Sequence, residues 1–388
     1  MSLRKLLILA AFVCLTVLSS RSHAESWQFM VTCDSRGDVF SGVNEAVVSE
    51  LSEEILRLDV DFVIFPGDLV YGARVGSERF ESQLWSWVWT MKPVYDAGIA
   101  VYVCRGNHEI GDMWDALPGQ LPDFKDTYAI RWLRVFGNSI HPDLILPDNG
   151  PAGEKHMTYS VVHKNALIVS LDQYAGMQHN LAHYVNQPWL SAQLAGNEAP
   201  HVFVFGHEPA FQALHWDCLD DYPFMRDAFW HSLQAAGARL YFCGHDHFYD
   251  HARVDDGDGN PANDIHQLIV GSAGAPPYAW TPPYGGSNGD FTVSQIDHAE
   301  QYGYVLVDVN DLDVTLTWME RQSKDLTLSG VYEPGDSWSY RAGADSTRCQ
   351  ARPTADLNGD CHVDFADLGI LLSQWLAWGN LLDFTRAR

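Results

Sequence analysis

Positive charge is scarce in this sequence. Its 388 residues carry 24 Lys and Arg against 50 Asp and Glu, a formal charge of −26. A surface this acidic repels a polyphosphate backbone, which excludes non-specific binding to DNA or RNA and suits a protein that collects divalent cations. No Cys-x-x-Cys occurs among the seven cysteines, so a zinc ribbon or a thioredoxin-type motif is not supported. Beyond residue 18 no segment is long and apolar enough to span a bilayer. Nor is there a long internal repeat. Apolar material, by contrast, is plentiful: 46% of residues are hydrophobic, 12% aromatic, and 14 are Trp. That is enough for a sizeable core and rules out a disordered chain.

The first residues read as a processing segment. Arg4 and Lys5 precede an apolar run from Leu6 to Leu18, and a polar stretch ends in Ser22-His23-Ala24. A positive start, a short apolar run and a small-x-small site describe a secretory signal over residues 1–24. The run is too short for a membrane anchor. The residues before Cys14 do not form a lipobox. A secreted, periplasmic or cell-surface location is therefore expected, where disulfides are permitted. Cys33, Cys104 and Cys243 end apolar runs and read as buried small hydrophobes. Cys349 and Cys361 are candidates for a disulfide, and Cys218 has no evident partner.

Short apolar runs at Trp27–Cys33, Asp61–Phe65, Ile99–Cys104, Ala166–Leu171, His201–Phe205, Leu240–Cys243 and Gln267–Val270 read as buried strands. Helical patterns at Val43–Leu58 and Glu81–Tyr95 lie between them. Alternating strands and helices predict an α/β fold. Tyr302–Met319 reads as two strands around a turn at Asn310-Asp311. From about Ser323 to Thr354 the pattern weakens into linker or extension.

The chemistry collects at strand ends. The first strand runs into Asp34-Ser35-Arg36-Gly37 and the second into Gly67-Asp68. The third runs into Gly106-Asn107-His108-Glu109. Later strands end in Gly206-His207-Glu208-Pro209 and Gly244-His245-Asp246-His247. In an open α/β sheet ligands bind at the carboxyl ends of strands. These side chains, distant in sequence, are expected to converge on one site. Imidazole with carboxylate suits Zn, Fe or Mn. Two Asp, one Asn and at least three His suffice for two such ions with open positions.

This order of blocks resembles the calcineurin-like metallophosphoesterase superfamily over roughly residues 27–320. The resemblance implies a two-sheet β-sandwich flanked by helices in four layers, with a dinuclear site at one edge. It implies that Asp34 and His247 hold a first metal, that Asp68 bridges, and that Asn107, His207 and His245 hold a second. His108 would stay off the metals, bonding phosphate oxygens or protonating the leaving group. The activity implied is hydrolysis of a small phosphate ester, monoester or diester, by a metal-bound hydroxide.

One position departs from that pattern. Arg36 stands where the family has a ligand His, and a guanidinium cannot ligate a cation. Gly67-Asp68-Leu69-Val70-Tyr71 resembles the Gly-Asp-x-x-Tyr of purple acid phosphatases, a branch in which the Tyr binds ferric iron. Tyr71 is thus either a ligand or an aromatic beside the pocket. Arg36 could clamp a substrate phosphate as a bidentate donor or pair with a nearby Asp. His215, eight residues after His207, is a candidate outer phosphate contact.

A smaller signal lies at the C-terminus. Asp356, Asn358, Asp360, Asp364 and Asp367 occupy positions 1, 3, 5, 9 and 12 of an EF-hand-type calcium loop, with the His362 carbonyl at position 7. The segment resembles a type I dockerin repeat, with Cys361 at position 6 where Gly is usual and a single repeat where dockerins pair two. That implies calcium and a cohesin-like or cell-surface partner through residues 354–378. A second acidic stretch, Asp255–Asn260, reads as a surface loop rather than another calcium site. The organisation expected is a signal at 1–24, a catalytic domain at 25–322, a linker or extension at 323–353, the calcium segment at 354–378 and a tail at 379–388. The competing reading is a surface or scaffold-attached protein with a decayed site, acting through its C-terminal module.

Overall fold

A computed structural model describes residues 26–72, 75–110, 121–175 and 183–343, with Leu368 and Leu371. The signal segment, the Cys349–Cys361 pair and the loop ligands Asp356 to Asp367 lie outside the described residues. In chain order the strands are β1 (Ser26–Val31), β2 (Phe62–Phe65), β3 (Ala100–Val103), β4 (Tyr159–His163), β5 (Ala166–Leu171), β6 (His201–Gly206) and β7 (Leu240–Cys243). There follow β8 (Tyr249–Asp255), β9 (Ile265–Val270), β10 (Thr292–Ala299), β11 (Gly303–Asn310), β12 (Asp313–Arg321) and β13 (Tyr332–Arg341). They form two sheets, ordered β13-β12-β11-β1-β2-β3 and β10-β8-β9-β7-β6-β5-β4. β1, β2 and β3 run parallel in the first sheet, and β5, β6, β7 and β9 in the second. Of these, β2, β5, β6, β7 and β9 are buried along their whole length, which is why they read as continuous apolar runs, while β3, at the edge of its sheet, alternates half-buried and buried residues.

The sheets face each other across an aromatic core. Phe29 stacks on Phe62 with ring centres 4.8 Å apart and meets Phe203 edge-on at 5.0 Å. Alternation along β6 points Phe203 and Phe205 into this core. Val202 and Val204 face a second core, under the helices Gln187–Ala195 and Pro223–Ala235. On the outer face of the first sheet pack Val47, Leu51 and Ile55 of the helix Glu45–Leu58 and Leu84 and Trp87 of the helix Ser77–Thr90. The layers are thus helix, sheet, sheet, helix, as expected. Among the described residues no helix is long and apolar enough to cross a membrane.

Two expectations are corrected. The single helix expected at Glu81–Tyr95 is two, Ser77–Thr90 and Lys92–Asp96. Pro93 lacks an N–H and its ring crowds the carbonyl four residues back, so the helix restarts there. The stretch 323–353, expected as linker or extension, contains β13, which pairs with β12 as the edge of the first sheet. Cys33, Cys104, Cys218 and Cys243 are buried free thiols.

Local contacts tie the helices to the turns that matter. Asn44 caps the helix Glu45–Leu58 by accepting from Val47 N, worth ~1 kcal/mol. Its amide also donates to Gly274 O (2.7 Å). Trp87 Nε1 donates to Ser35 Oγ (3.0 Å), in the turn after β1.

Candidate metal centre

The carboxyl ends of β1, β2 and β3 and those of β6 and β7 open onto one edge of the sandwich, and the backbone turns sharply there. Asp34, Asp68 and His245 take left-handed conformations, φ 61°, 49° and 70°. Such strain costs about 1–3 kcal/mol per residue and collects at functional sites. Glycines permit the close approach: a Cβ on Gly106 would collide with Asp68 Oδ1, and one on Gly244 with Asp34 Oδ2. Glu109 braces the turn by accepting from the backbone N–H of Asp68 (2.9 Å), Val70 (3.2 Å) and Gly106 (2.8 Å).

Backbone carbonyls and one carboxylate set the histidine tautomers. His207 donates from Nδ1 to Pro66 O (2.8 Å), leaving the lone pair on Nε2. That atom faces Asn107 Oδ1 at 3.0 Å and Asp68 Oδ1 at 3.4 Å. His245 donates from Nε2 to Asp217 Oδ1 (3.3 Å), and its Nδ1 faces the same Asn107 oxygen at 3.3 Å. With His245 neutral, four lone-pair atoms therefore converge, and the His108 backbone N–H donates to Asp68 Oδ1 (3.1 Å) from outside the set. The four repel one another unless a cation stands between them.

A second set adjoins the first. His247 donates from Nδ1 to Pro276 O (3.1 Å), and its Nε2 lies 3.7 Å from Asp34 Oδ1. Asp34 Oδ1 is buried without a hydrogen-bond partner, while Oδ2 accepts from Cys33 Sγ and His245 N. Asp68 lies between the two sets, and ligand atoms of Asp34, Asp68 and His207 fall within 4.8 Å of one another. The donors fit two transition-metal ions sharing Asp68, with the Asp34–His247 side one ligand short.

Around these donors sit the remaining predicted residues. Arg36 places Nε 4.0 Å from Asp68 Oδ2 and donates from Nη2 to Tyr278 OH (3.1 Å). His108 Nε2 lies 3.7 Å from Asp68 Oδ2, and its Nδ1 bonds the carbonyl of Tyr71. The Tyr71 ring meets His108 edge-on at 5.7 Å. His215 bonds Asp246 through Nδ1, with its ring 4.8 Å from His245.

Sequence reasoning missed Tyr278 and Asp217. Tyr278 stacks on His247 at 4.2 Å and 13° and also meets His215 at 5.4 Å. No spacing signal marks either residue, since each reaches the site through a loop.

The family model described as calcineurin-like phosphoesterase matches residues 37–249, more than half of the chain. The chain belongs to the calcineurin-like phosphoesterase family. No curated protein matches it. Among solved structures, the purple acid phosphatase PPD1 of yellow lupin seeds aligns with TM-score 0.57 and 15% identity, over 86% of this chain and 55% of that one. This chain thus spans about half the length of the lupin phosphatase. PhoD aligns with TM-score 0.58 and 11% identity over 91% and 78% of the two chains. GAP50, the anchor in the inner membrane complex of Plasmodium, aligns with TM-score 0.54 and 14% identity over 83% and 90%. At these identities the likeness is one of fold.

In this member of the family the electrostatics separate the candidate ligand groups. Burial, then the neighbouring Asp68, pushes the Asp34 carboxyl well up. Burial works the same way on Asp68, but His108, His207 and Arg36 outweigh it and hold that carboxyl low. Burial lowers His207 to about 4 and His247 well below the usual range, so both are neutral donors at physiological pH. Burial opposes the charged form of His245 too, yet Asp217 with Asp246 and Glu208 raises it to about 9.

Proposed function

We propose that the chain is an exported, metal-dependent hydrolase of small phosphate esters. The observation that carries this reading is the convergence of Asp68 Oδ1, Asn107 Oδ1, His207 Nε2 and, in its neutral form, His245 Nδ1, four lone-pair atoms each within hydrogen-bond range of another, to which the structure offers the His108 backbone N–H on Asp68. The fold is shared by a phosphatase and by a protein named as an anchor, so fold alone favours neither. A decayed scaffold has no need to keep three strained backbones and three locked tautomers aimed at one point, and that supports catalysis.

A metal bound there supplies a water of lowered pKa and offsets the charge of phosphate oxygens. The chain's own groups position the ester and handle its proton. Arg36 Nε is buried without a hydrogen-bond partner, and Tyr278 orients the guanidinium from its far side. We assign this pair to a phosphoryl oxygen, since Arg grips phosphate through paired N–H donors. His108 commits Nδ1 to the Tyr71 carbonyl, so Nε2 carries a proton only in the imidazolium form. From there it bonds a phosphoryl oxygen or protonates the leaving oxygen, and burial keeps its pKa low. Asp217 holds His245 in the ligating tautomer.

The test uses the full chain loaded with Mn or Zn and a chromogenic phosphate monoester and diester. Asp68→Asn and His207→Ala should abolish hydrolysis with the circular dichroism spectrum unchanged. Hydrolysis near wild type in both variants would refute the assignment.

A further inference from the structure

β8 and β9 form an antiparallel hairpin in which Val254 pairs with Ile265. One step further out, Asp255 and Asp264 oppose each other across the loop, with Asp256 beside them. Like charges directly opposed destabilise a hairpin. Yet oxygens of all three carboxylates lie within 4.8 Å of one another.

Asp264 is the telling member. It is 1% exposed, and neither carboxylate oxygen has a hydrogen-bond partner. Asn263 Oδ1, next in the chain, is likewise buried and unpaired. Two guanidiniums border the loop: Arg239 donates to the carbonyls of Asp264, Ala262 and Pro261, and Arg253 lies with Nε 3.5 Å from Asp264 Oδ2 and Nη2 3.6 Å from Asp255 Oδ2, hydrogen-bonding neither. Two guanidiniums do not balance three carboxylates. The other contacts are modest: Asp255 accepts from Gly257 N, and Asp256 from Asp258 N and from Gln234 Nε2.

We propose that this hairpin loop is a calcium site, with Asp255, Asp256 and Asp264 as carboxylate ligands. An all-oxygen set of several carboxylates suits Ca²⁺, whereas the imidazole-rich edge suits transition metals. The sequence reading of Asp255–Asn260 as a plain surface loop changes because the register brings in Asp264 from the returning strand. An ion here fastens together the ends of β8 and β9, the hairpin that continues from His247.

The full chain is stripped with chelator and dialysed against calcium, and bound calcium is counted by atomic emission. Thermal unfolding is followed with calcium and with chelator. Asp264→Asn should bind one calcium fewer per chain than wild type. It should melt several degrees below wild type in calcium but no lower in chelator, because it relieves the opposed charges. Asp255→Asn should behave alike and serves if Asp264→Asn fails to fold. Calcium held elsewhere, including at Asp356–Asp367, is common to all variants and cancels. Equal calcium counts in wild type and variants, or the same Tm difference with and without calcium, overturn the site.

Discussion

Replacing Asp217 by Asn isolates one charge at one distance. Asp217 Oδ1 lies 3.3 Å from His245 Nε2 and keeps the other ring nitrogen facing Asn107. The amide preserves volume and a carbonyl oxygen, and only the negative charge is lost. A hydrogen bond with a charged partner contributes about 1.5–3 kcal/mol, against about 1 kcal/mol for a neutral one. Asp217 is 21% exposed at its side chain, so water screens part of the difference. The difference is about 0.5–2 kcal/mol before screening and about 0.5–1.5 kcal/mol after it, or roughly 2–12-fold in the affinity of an ion for the Asp68–Asn107–His207–His245 set. Carboxylates behind ligating histidines generally contribute about 10–100-fold, so the upper end of that range is expected. The assay is competition for Zn²⁺ between the metal-free full chain and a chromophoric chelator, run above the His245 pKa of about 9 so that no proton competes for Nδ1. Asp217→Asn should weaken binding by that factor and Asp217→Ala by more, both with wild-type circular dichroism. Dissociation constants within twofold of wild type in both variants would refute the tautomer argument.

His108→Ala should lower turnover by about 10²–10⁴-fold while zinc content stays at the wild-type value; a lost ion would mean that His108 is a ligand. Tyr278→Phe keeps the ring on His247 and removes the hydroxyl that Arg36 meets. KM for a chromogenic ester should rise about 5–10-fold with metal content unchanged, the loss of roughly one hydrogen bond, and unchanged KM and turnover would dismiss the residue. His201 is 1% exposed and burial lowers its pKa. Below pH ~6.5 the unfolded chain takes up a proton that folded His201 resists, so stability should fall as pH drops, by up to about 1.4 kcal/mol per pH unit. His207, His247 and His108 add slopes of the same sign, so His201→Gln should lessen the fall in Tm between pH ~7.5 and ~5.5 without abolishing it, and a profile parallel to wild type would count against it.

Much of the site is legible in the sequence alone. Asp68, Asn107, His207 and His245 each follow a buried strand and sit on or beside a glycine, so an apolar run followed by a sharp polar turn announces them. That the donors come from two sheets rather than one is invisible in such a pattern, and only the family resemblance implied it. β13 was hidden because Pro334, Gly335 and Asp336 look like a turn and its strand is an exposed edge. Yet the Asp336 carboxylate is held by Tyr249 OH (2.8 Å) and His251 Nδ1 (2.6 Å) across the sandwich. Tyr278 and Asp264 depend on tertiary facts of another kind. The first reaches the site through its backbone N–H on His247 O (2.9 Å), the second through hairpin register.

Arg36 shows how sequence and structure divide the work. The motif says only that a ligand is replaced by a fixed positive charge. The structure adds that the charge is held: Arg36 bridges to Val43 through the backbone, Tyr278 takes one of its N–H groups, and Asp68 lies within 4.0 Å. A guanidinium beside a site for cations raises local positive charge, and Asp68 is shared with the donor set. The electrostatic balance then calls for a further anion on the open side. A phosphoryl group carries that charge and presents the paired oxygens that an Arg fork recognises. The residue that breaks the ligand pattern is on this argument part of substrate recognition, and the site needs no restored histidine to act on a phosphate ester.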